Sequence, residues 1–244
     1  GAQSKTALYR VGAKWGVPRG RTPTTHILKP EGPRFAGLAT NEHFCLELAR
    51  MAAIPSARSE VQTFDGNPTI IVERFDRYRD KRDGLIKRIH QEDCCQALGV
   101  HPNRKYQSEG GPGIPEIMAL LRSTKASEID RDRFMRAQAF NCLIGGTDAH
   151  AKNYSILYEP GGAFRLMPLY DLISFLPYQK RRAQLTLAMT IAGRRAIDEI
   201  RLNHWERAFE RCGYSGARAV AHVRDLTAKL PDLSLTVRAA CRKS

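Results

Sequence analysis

Gly146-Thr147-Asp148-Ala149-His150-Ala151-Lys152-Asn153, residues 146–153, is the densest polar constellation of the chain. Before it, Phe134, Ala137, Phe140 and Ile144 recur at helical spacing, which predicts a helix over Asp132–Ile144 that stops at Gly145-Gly146. After it, Tyr154–Glu159 and Phe164–Leu166 flank Pro160-Gly161-Gly162 and read as a hairpin, followed by Met167-Pro168-Leu169-Tyr170-Asp171. The polar stretch is therefore expected as a tight loop between rigid elements, a common setting for catalytic groups.

Working outward toward the N-terminus, strand patterns dominate. Thr6–Val11, a return at Trp15–Pro18, and His26–Lys29 stopped by Pro30 are strand runs, and 31–39 reads as a loop. Thr40 or Asn41 is expected to cap a helix reaching Ala53, with Phe44, Leu48 and Met51 on its inner face. Val61–Phe64 and Thr69–Glu73 form a hairpin around Asp65-Gly66-Asn67-Pro68. From residue 91 helices are expected at Glu92–Leu98, Ile114–Ser123, along Ile197, Ile200, Trp205, Phe209 and Cys212, and along Val220, Val223, Leu226 and Leu230. The expected class is α+β: a small antiparallel-sheet lobe over 1–76 and a larger helical lobe over 77–244.

Composition narrows the functions. The chain has 244 residues, 42% apolar and 26% charged, which is ordinary globular usage. No apolar run is long enough to span a membrane, and the first residues carry no basic and apolar leader, so no secretory signal is expected. Thirty-nine Lys and Arg against 25 Asp and Glu leave +14, which favours anionic partners: phosphates, nucleotides, nucleic acid or an acidic protein. Six cysteines without a C-x-x-C argue against a zinc ribbon; Cys45, Cys94 and Cys142 read as small buried hydrophobes in a reducing cytoplasm.

The order of polar groups suggests phosphoryl transfer. In a kinase catalytic loop a base Asp is followed five residues later by an Asn that holds metal, and a second metal-binding Asp comes after a hairpin. Asp148, Asn153 and Asp171 follow that order. A carboxylate orients a hydroxyl and takes its proton, while an amide oxygen and a second carboxylate hold Mg²⁺. Lys29 ends a strand where a kinase places the Lys that grips phosphates, and Glu42 in the next helix is placed to pair with it. Gly1, Ala2 and Gln3 precede the first strand, and their backbone amides are candidates to cover phosphates. Lys152 is expected beside those phosphates, with His150 in a structural role. The ordinary alternatives are an Asx turn at Asp148, a strand cap at Asn153, a turn carboxylate at Asp171 and a surface Lys29.

Further stretches bring a family into view: Gly-Ala-Gln-Ser-Lys-Thr-Ala-Leu (1–8), Thr-Pro-Thr-Thr-His-Ile-Leu-Lys (22–29), Val-Glu-Arg-Phe-Asp-Arg (72–77), Gln-Glu-Asp-Cys-Cys-Gln (91–96), Gly-Gly-Pro-Gly-Ile (110–114), Asp-Ala-His-Ala-Lys-Asn (148–153) and Tyr-Asp-Leu-Ile-Ser (170–174). In this order they resemble the C-terminal kinase region of HipA-type Ser/Thr kinases, toxins of bacterial type II toxin–antitoxin modules. The resemblance implies an ATP- and Mg²⁺-dependent protein kinase with a two-lobed, phosphatidylinositol-kinase-like fold. It implies Asp148 as catalytic base, Asn153 and Asp171 on metal, Lys29 on ATP phosphates, Glu73 and Phe75 offering backbone to adenine, and Asp76 on the ribose. It further implies an aminoacyl-tRNA synthetase as substrate, typically the glutamyl enzyme, with growth arrest and drug tolerance as outcome. A helix-turn-helix antitoxin would bind the kinase and carry it to operator DNA. Relatives also have an N-terminal subdomain and a regulatory Ser upstream of Gly-Ala-Gln, so this chain is expected to be part of a longer one; Pro177–Arg182 is short where relatives have a longer connection. The competing readings are a DNA-binding corepressor, suggested by the charge, and a kinase-like module that only binds.

Overall fold

Asp65 and Gly66 both adopt left-handed backbone, at φ 48° and 79°, which is the geometry of a two-residue hairpin turn matched to strand twist. That turn joins β4 and β5 in the computed structural model, which describes residues 4–33, 35–179 and 185–241. The strands and helix of this first part are β1 Thr6–Val11, β2 Lys14–Gly16, β3 His26–Pro30, α1 Leu38–Met51, β4 Ser59–Phe64 and β5 Asn67–Glu73. They make an antiparallel sheet in the order β2-β1-β3-β5-β4. Ile70 and Ile71 of β5 point to opposite faces and both are buried, so the sheet is covered on both sides there.

Helix α1 begins two residues before the expected cap. Gly37 precedes it at φ 75°, and the Glu31 carboxylate accepts from the amides of Gly37 and Ala39 at 3.1 and 3.0 Å. A carboxylate beyond the helix thus satisfies orphan N–H groups and complements the dipole. The expected inner face was too narrow. Met51 is exposed, while Ala39, Glu42, Cys45, Leu46, Leu48 and Ala49 are buried, because α1 packs on the sheet and also on a C-terminal helix.

Beyond the sheet come β6 Arg77–Arg79 and β7 Ile86–Arg88, a charged hairpin the sequence pattern missed, then β8 Gln91–Asp93 and α2 Cys94–Ala97. Glu92 and Asp93 were expected to be helical and are strand. They pair with β9, and Asp93 instead caps α2 in a reciprocal box with Gln96. The remaining elements are α3 Ile114–Leu120, α4 Ser127–Ile144, β9 Ser155–Tyr158, β10 Phe164–Leu166, β11 Thr186–Ile191, β12 Arg194–Ala196, α5 Leu202–Glu210 and α6 Gly216–Cys241. The stripe 197–212 breaks at Ile200-Arg201 before α5. Helix α4 is the scaffold of this half: Phe134, Met135, Ala137, Ala139 and Phe140 have no exposure. Truncating either buried ring to Ala would cost about 3–5 kcal/mol.

Gly1, Ala2 and Gln3, and the basic run Lys180-Arg181-Arg182, lie outside the described residues. No described helix is long and apolar enough to cross a membrane.

Candidate functional site

The loop after α4 is fixed by its own neighbours. Gly145 turns left-handed at φ 68°, and Gly146 donates to Asn141 O at 2.7 Å, closing the helix. A Cβ on Gly146 would stand 2.4 Å from Asn141 Oδ1, so only glycine fits. At the other end Tyr154 is buried beneath α4, its hydroxyl accepting from Gln138 Nε2 at 2.8 Å and Asn141 Nδ2 at 3.3 Å. Helix and strand thus clamp the ten residues between them.

Inside the loop Asn153 Nδ2 donates to Asp148 O at 2.9 Å, leaving the Asn153 amide oxygen unused by that bond. His150 Nε2 stands 4.0 Å from Asp148 Oδ1. Burial lowers the proton affinity of His150 against the pull of Asp148, with Asp171 a further attraction. His150 therefore favours the neutral form, consistent with an ordering role. Asp148 keeps half of its side chain exposed and accepts the hydroxyl of Tyr106 at 2.5 Å.

Asp171 is delivered by a different set of contacts. Leu169 bridges Ser56, donates to Pro55 O at 2.8 Å and accepts from Ala57 N at 2.8 Å, which ties this segment to the residues after α1. Tyr170 then donates its hydroxyl to Lys152 O at 2.7 Å and takes one from Ser155 Oγ at 2.5 Å, locking segment and loop together. Asp171 itself is left-handed at φ 53°, a costly backbone for a non-glycine residue that the surrounding bonds must hold.

These contacts bring Asp171 Oδ1 onto Lys29 Nζ, which also donates to Glu42 Oε1 at 2.8 Å. Lys29 is 5% exposed and Glu42 not at all. Burial works against the Lys29 charge, but its two carboxylates outweigh it and hold the ammonium protonated. For Asp171 burial is likewise outweighed by Lys29, so its carboxyl sits below the usual range. Burial raises Glu42 despite Lys29, and its Oε2 has no hydrogen-bond partner among the described residues. The expected Lys29–Glu42 pair is present.

A cavity of about 240 Å³ opens on this cluster. Lys29, Glu73, Phe75, Asp76, Lys152 and Asp171 line it, together with Lys5, Ile27 and Val72. Asp148 and Asn153 are not in its wall; of their loop only Lys152 lines it. The amides of Glu73 and Arg74 are already spent on Arg58 O and Thr25 O, each at 2.9 Å. Asp76 is held by Arg74 at 2.7 Å and Arg77 at 2.6 Å, so a ribose would share its oxygens with two guanidiniums. Lys152 pairs with Asp93 at 2.6 Å. A larger cavity of about 340 Å³ between α1, α4 and α6 is lined by Phe44, Leu48, Leu143, Leu230 and similar groups without a charge, and suits no phosphate.

Sequence reasoning missed Lys5, Tyr106, Asp93 and Tyr170 as parts of the site. Tyr106 carries no local signal, since it meets Asp148 across 42 residues. Among the described residues no three His, Cys, Asp or Glu side chains gather as a metal site. Magnesium in a nucleotide site needs fewer, since it keeps waters and phosphate oxygens. Asp171 and the Asn153 amide oxygen are hard donors of that type.

A family model described as the HipA-like C-terminal domain matches residues 1–233. A Sinorhizobium fredii protein named "Putative kinase Y4mE" is 42% identical over 214 residues, 87% of this chain and 50% of its own. The serine/threonine-protein kinase toxin HipA of Shewanella oneidensis is 30% identical over 200 residues, 78% of this chain and 46% of that protein. Among solved structures, the Shewanella oneidensis HipA, HipB and operator DNA complex matches with TM-score 0.89 at 25% identity, over 98% of this chain and 57% of that one. The Helicobacter pylori kinase CtkA matches with TM-score 0.53 at 9% identity, a likeness of fold alone. The chain spans about half the length of the curated relatives it matches.

Proposed function

The chain belongs to the family of HipA-like C-terminal domains, and from that membership we propose that it is the catalytic part of an ATP-dependent Ser/Thr protein kinase. The observation that carries this reading is Lys29, buried between Glu42 and Asp171 at one end of the 240 Å³ cavity. A buried, protonated Lys in a cleft is a phosphate ligand in waiting. Phe75 and Ile27 supply apolar wall for a base, and the Phe75 amide is left for adenine because those of Glu73 and Arg74 are engaged. Asp76 orders that edge and meets the ribose. Lys152 and, by the family resemblance, Gly1, Ala2 and Gln3 complete the phosphate contacts.

Asp148, held half in solvent, accepts the proton of an incoming Ser or Thr hydroxyl. Asn153 and Asp171 would hold Mg²⁺, which neutralises phosphate charge when bound. The sheet unit over 1–76 is the nucleotide lobe and 77–244 the lobe that carries Asp148.

A relative named as a kinase toxin supports a toxin role, and from the family resemblance we propose further that the substrate is an aminoacyl-tRNA synthetase, the glutamyl enzyme first, whose phosphorylation in the cytoplasm arrests growth and yields persistence. The structural match to a complex with HipB and operator DNA supports a helix-turn-helix antitoxin as partner, with DNA contacted through it. The net charge of +14 favours a second reading, direct DNA binding, which predicts tight, steeply salt-dependent binding by this chain alone.

The test is incubation of the full-length protein with radiolabelled ATP and Mg²⁺, alone and with purified synthetases plus tRNA. Label on itself or on one synthetase, lost in Asp148→Asn, is expected. Absence of transfer to any protein, with ATP still bound, would overturn the kinase assignment.

A further inference from the structure

Tyr106 belongs to no helix or strand, yet its hydroxyl donates to Asp148 Oδ1 at 2.5 Å. The segment carrying it is bolted on both sides. Its carbonyl accepts from the amides of Glu109 at 3.0 Å and Gly111 at 2.9 Å. The next residue, Gln107, places Oε1 on Thr190 N at 2.7 Å, reaching β11. Two glycines let the turns close this far: a Cβ on Gly111 would lie 2.1 Å from Arg104 O, and one on Gly113 2.4 Å from Gln107 Nε2. The ring meets His150 edge-on with centroids 5.1 Å apart, and Lys105 Nζ stands 4.9 Å over it.

A flap that had to swing aside for each protein substrate would be held by fewer contacts than these. The bond it delivers is of the strong kind, a hydroxyl on an ionised carboxylate, and it falls on the one oxygen that also faces His150. Asp148 otherwise has half of its side chain in solvent, where a short acid on a loop has several rotamers open to it. We propose that Tyr106 is a positioning residue for phosphotransfer. Its O–H fixes Asp148 Oδ1, which orients the carboxylate and leaves Oδ2 to take the proton of the acceptor hydroxyl. Misorientation of a base is costly because a small displacement from the productive geometry can cost about 100-fold in rate. This inference rests on the reading of Asp148 as base.

The experiment is single-turnover transfer from radiolabelled ATP and Mg²⁺ in the full-length protein, comparing wild type, Tyr106→Phe, Gly111→Ala and Asp148→Asn. Tyr106→Phe keeps the ring on His150 and removes only the donor. It should slow transfer about 10-fold or more, as loss of a charge-assisted hydrogen bond implies, with KM for ATP and the melting midpoint little changed. Gly111→Ala keeps the hydroxyl but displaces the turn, and should slow transfer in the same direction. Transfer by Tyr106→Phe at the wild-type rate would reduce the tyrosine to packing. Faster transfer would make it a plug in the acceptor position. Either result overturns the proposal while Asp148→Asn remains inactive. A wild type that transfers nothing fails the kinase reading, and this inference with it.

Discussion

Lys29 is 5% exposed and touches two carboxylates, whereas Asp148 keeps half its side chain in water and accepts one hydroxyl. Lys29 lines the 240 Å³ cavity and Asp148 does not, and their charges are held in opposite ways. Lys29 and Glu42 are almost without solvent, and Lys29 and Asp171 hold each other's charge against burial, which still raises Glu42. The Asp148 loop keeps solvent as a partner, and its anchor is a tyrosine from elsewhere in the chain. The contrast follows the ligands each would meet. A nucleotide presents the same phosphates every time, so a prepaired, dehydrated cation serves it. On the proposed reading an acceptor hydroxyl would arrive on a protein of changing shape, so a base at Asp148 would have to stay open while being aimed.

The sharpest way to break the comparison is at the base. Asp148→Asn should lower phosphotransfer by about 10²–10⁴, read as initial rate of label incorporation, while leaving the melting midpoint almost unmoved. The opposite pattern is expected across the site. Lys29→Met strands Glu42 and Asp171 without their cation and should cost about 3–5 kcal/mol of folding stability, read by urea denaturation, besides activity. Lys29→Met combined with Glu42→Leu should regain part of that stability and none of the activity. If the single variant were as stable as wild type, the buried cluster would not be the paired system described.

Asp76 tests the rim of the cavity. Burial alone would raise its carboxyl, but Arg74 and Arg77 outweigh it and hold the pKa low. Asp76→Asn should cost about 1–3 kcal/mol from two weakened charged hydrogen bonds, and raise KM for ATP only if the ribose shares these oxygens. The smallest effect is in pH. Burial lowers His150, His26, His43 and His222, so the unfolded chain takes protons that the folded one refuses. Their contribution is complete above the free imidazole pKa of about 6.5 and fades as pH falls through the lowered values. The melting midpoint should therefore drop from about pH 7.5 to about pH 5.5. Asp171 and Asp76 stay ionised over that window, since their carboxyls lie below the ordinary carboxylate range. A midpoint flat across it would mean the histidines are hydrated.

Local chemistry made some of this architecture readable. Asp65-Gly66 announced its hairpin, and Gly145-Gly146 announced the stop of α4, because left-handed backbone selects those residues. The loop carrying Asp148 and Asn153 and the hairpin before Asp171 were readable because they lie close in sequence. What escaped was decided at a distance. β8 is polar and forms only because β9 offers it an edge. The β11–β12 turn uses Ala192-Gly193 at φ 49° and 82° in place of an Asn-Gly signal. The single stripe expected on α1 failed because two partners cover it. Tyr106 escaped for the plainest reason: a lone tertiary hydrogen bond has no period.

The double burial of α1 bears on how the molecule comes into being. Its sheet-facing side can be covered as soon as β4 and β5 emerge from the ribosome. Its other side waits for α6, whose first residue, Gly216, lies 165 positions beyond Met51. Until that late helix docks, the element bearing Glu42 has a bare flank, and the buried partner of Lys29 rides on a helix packed on one side only.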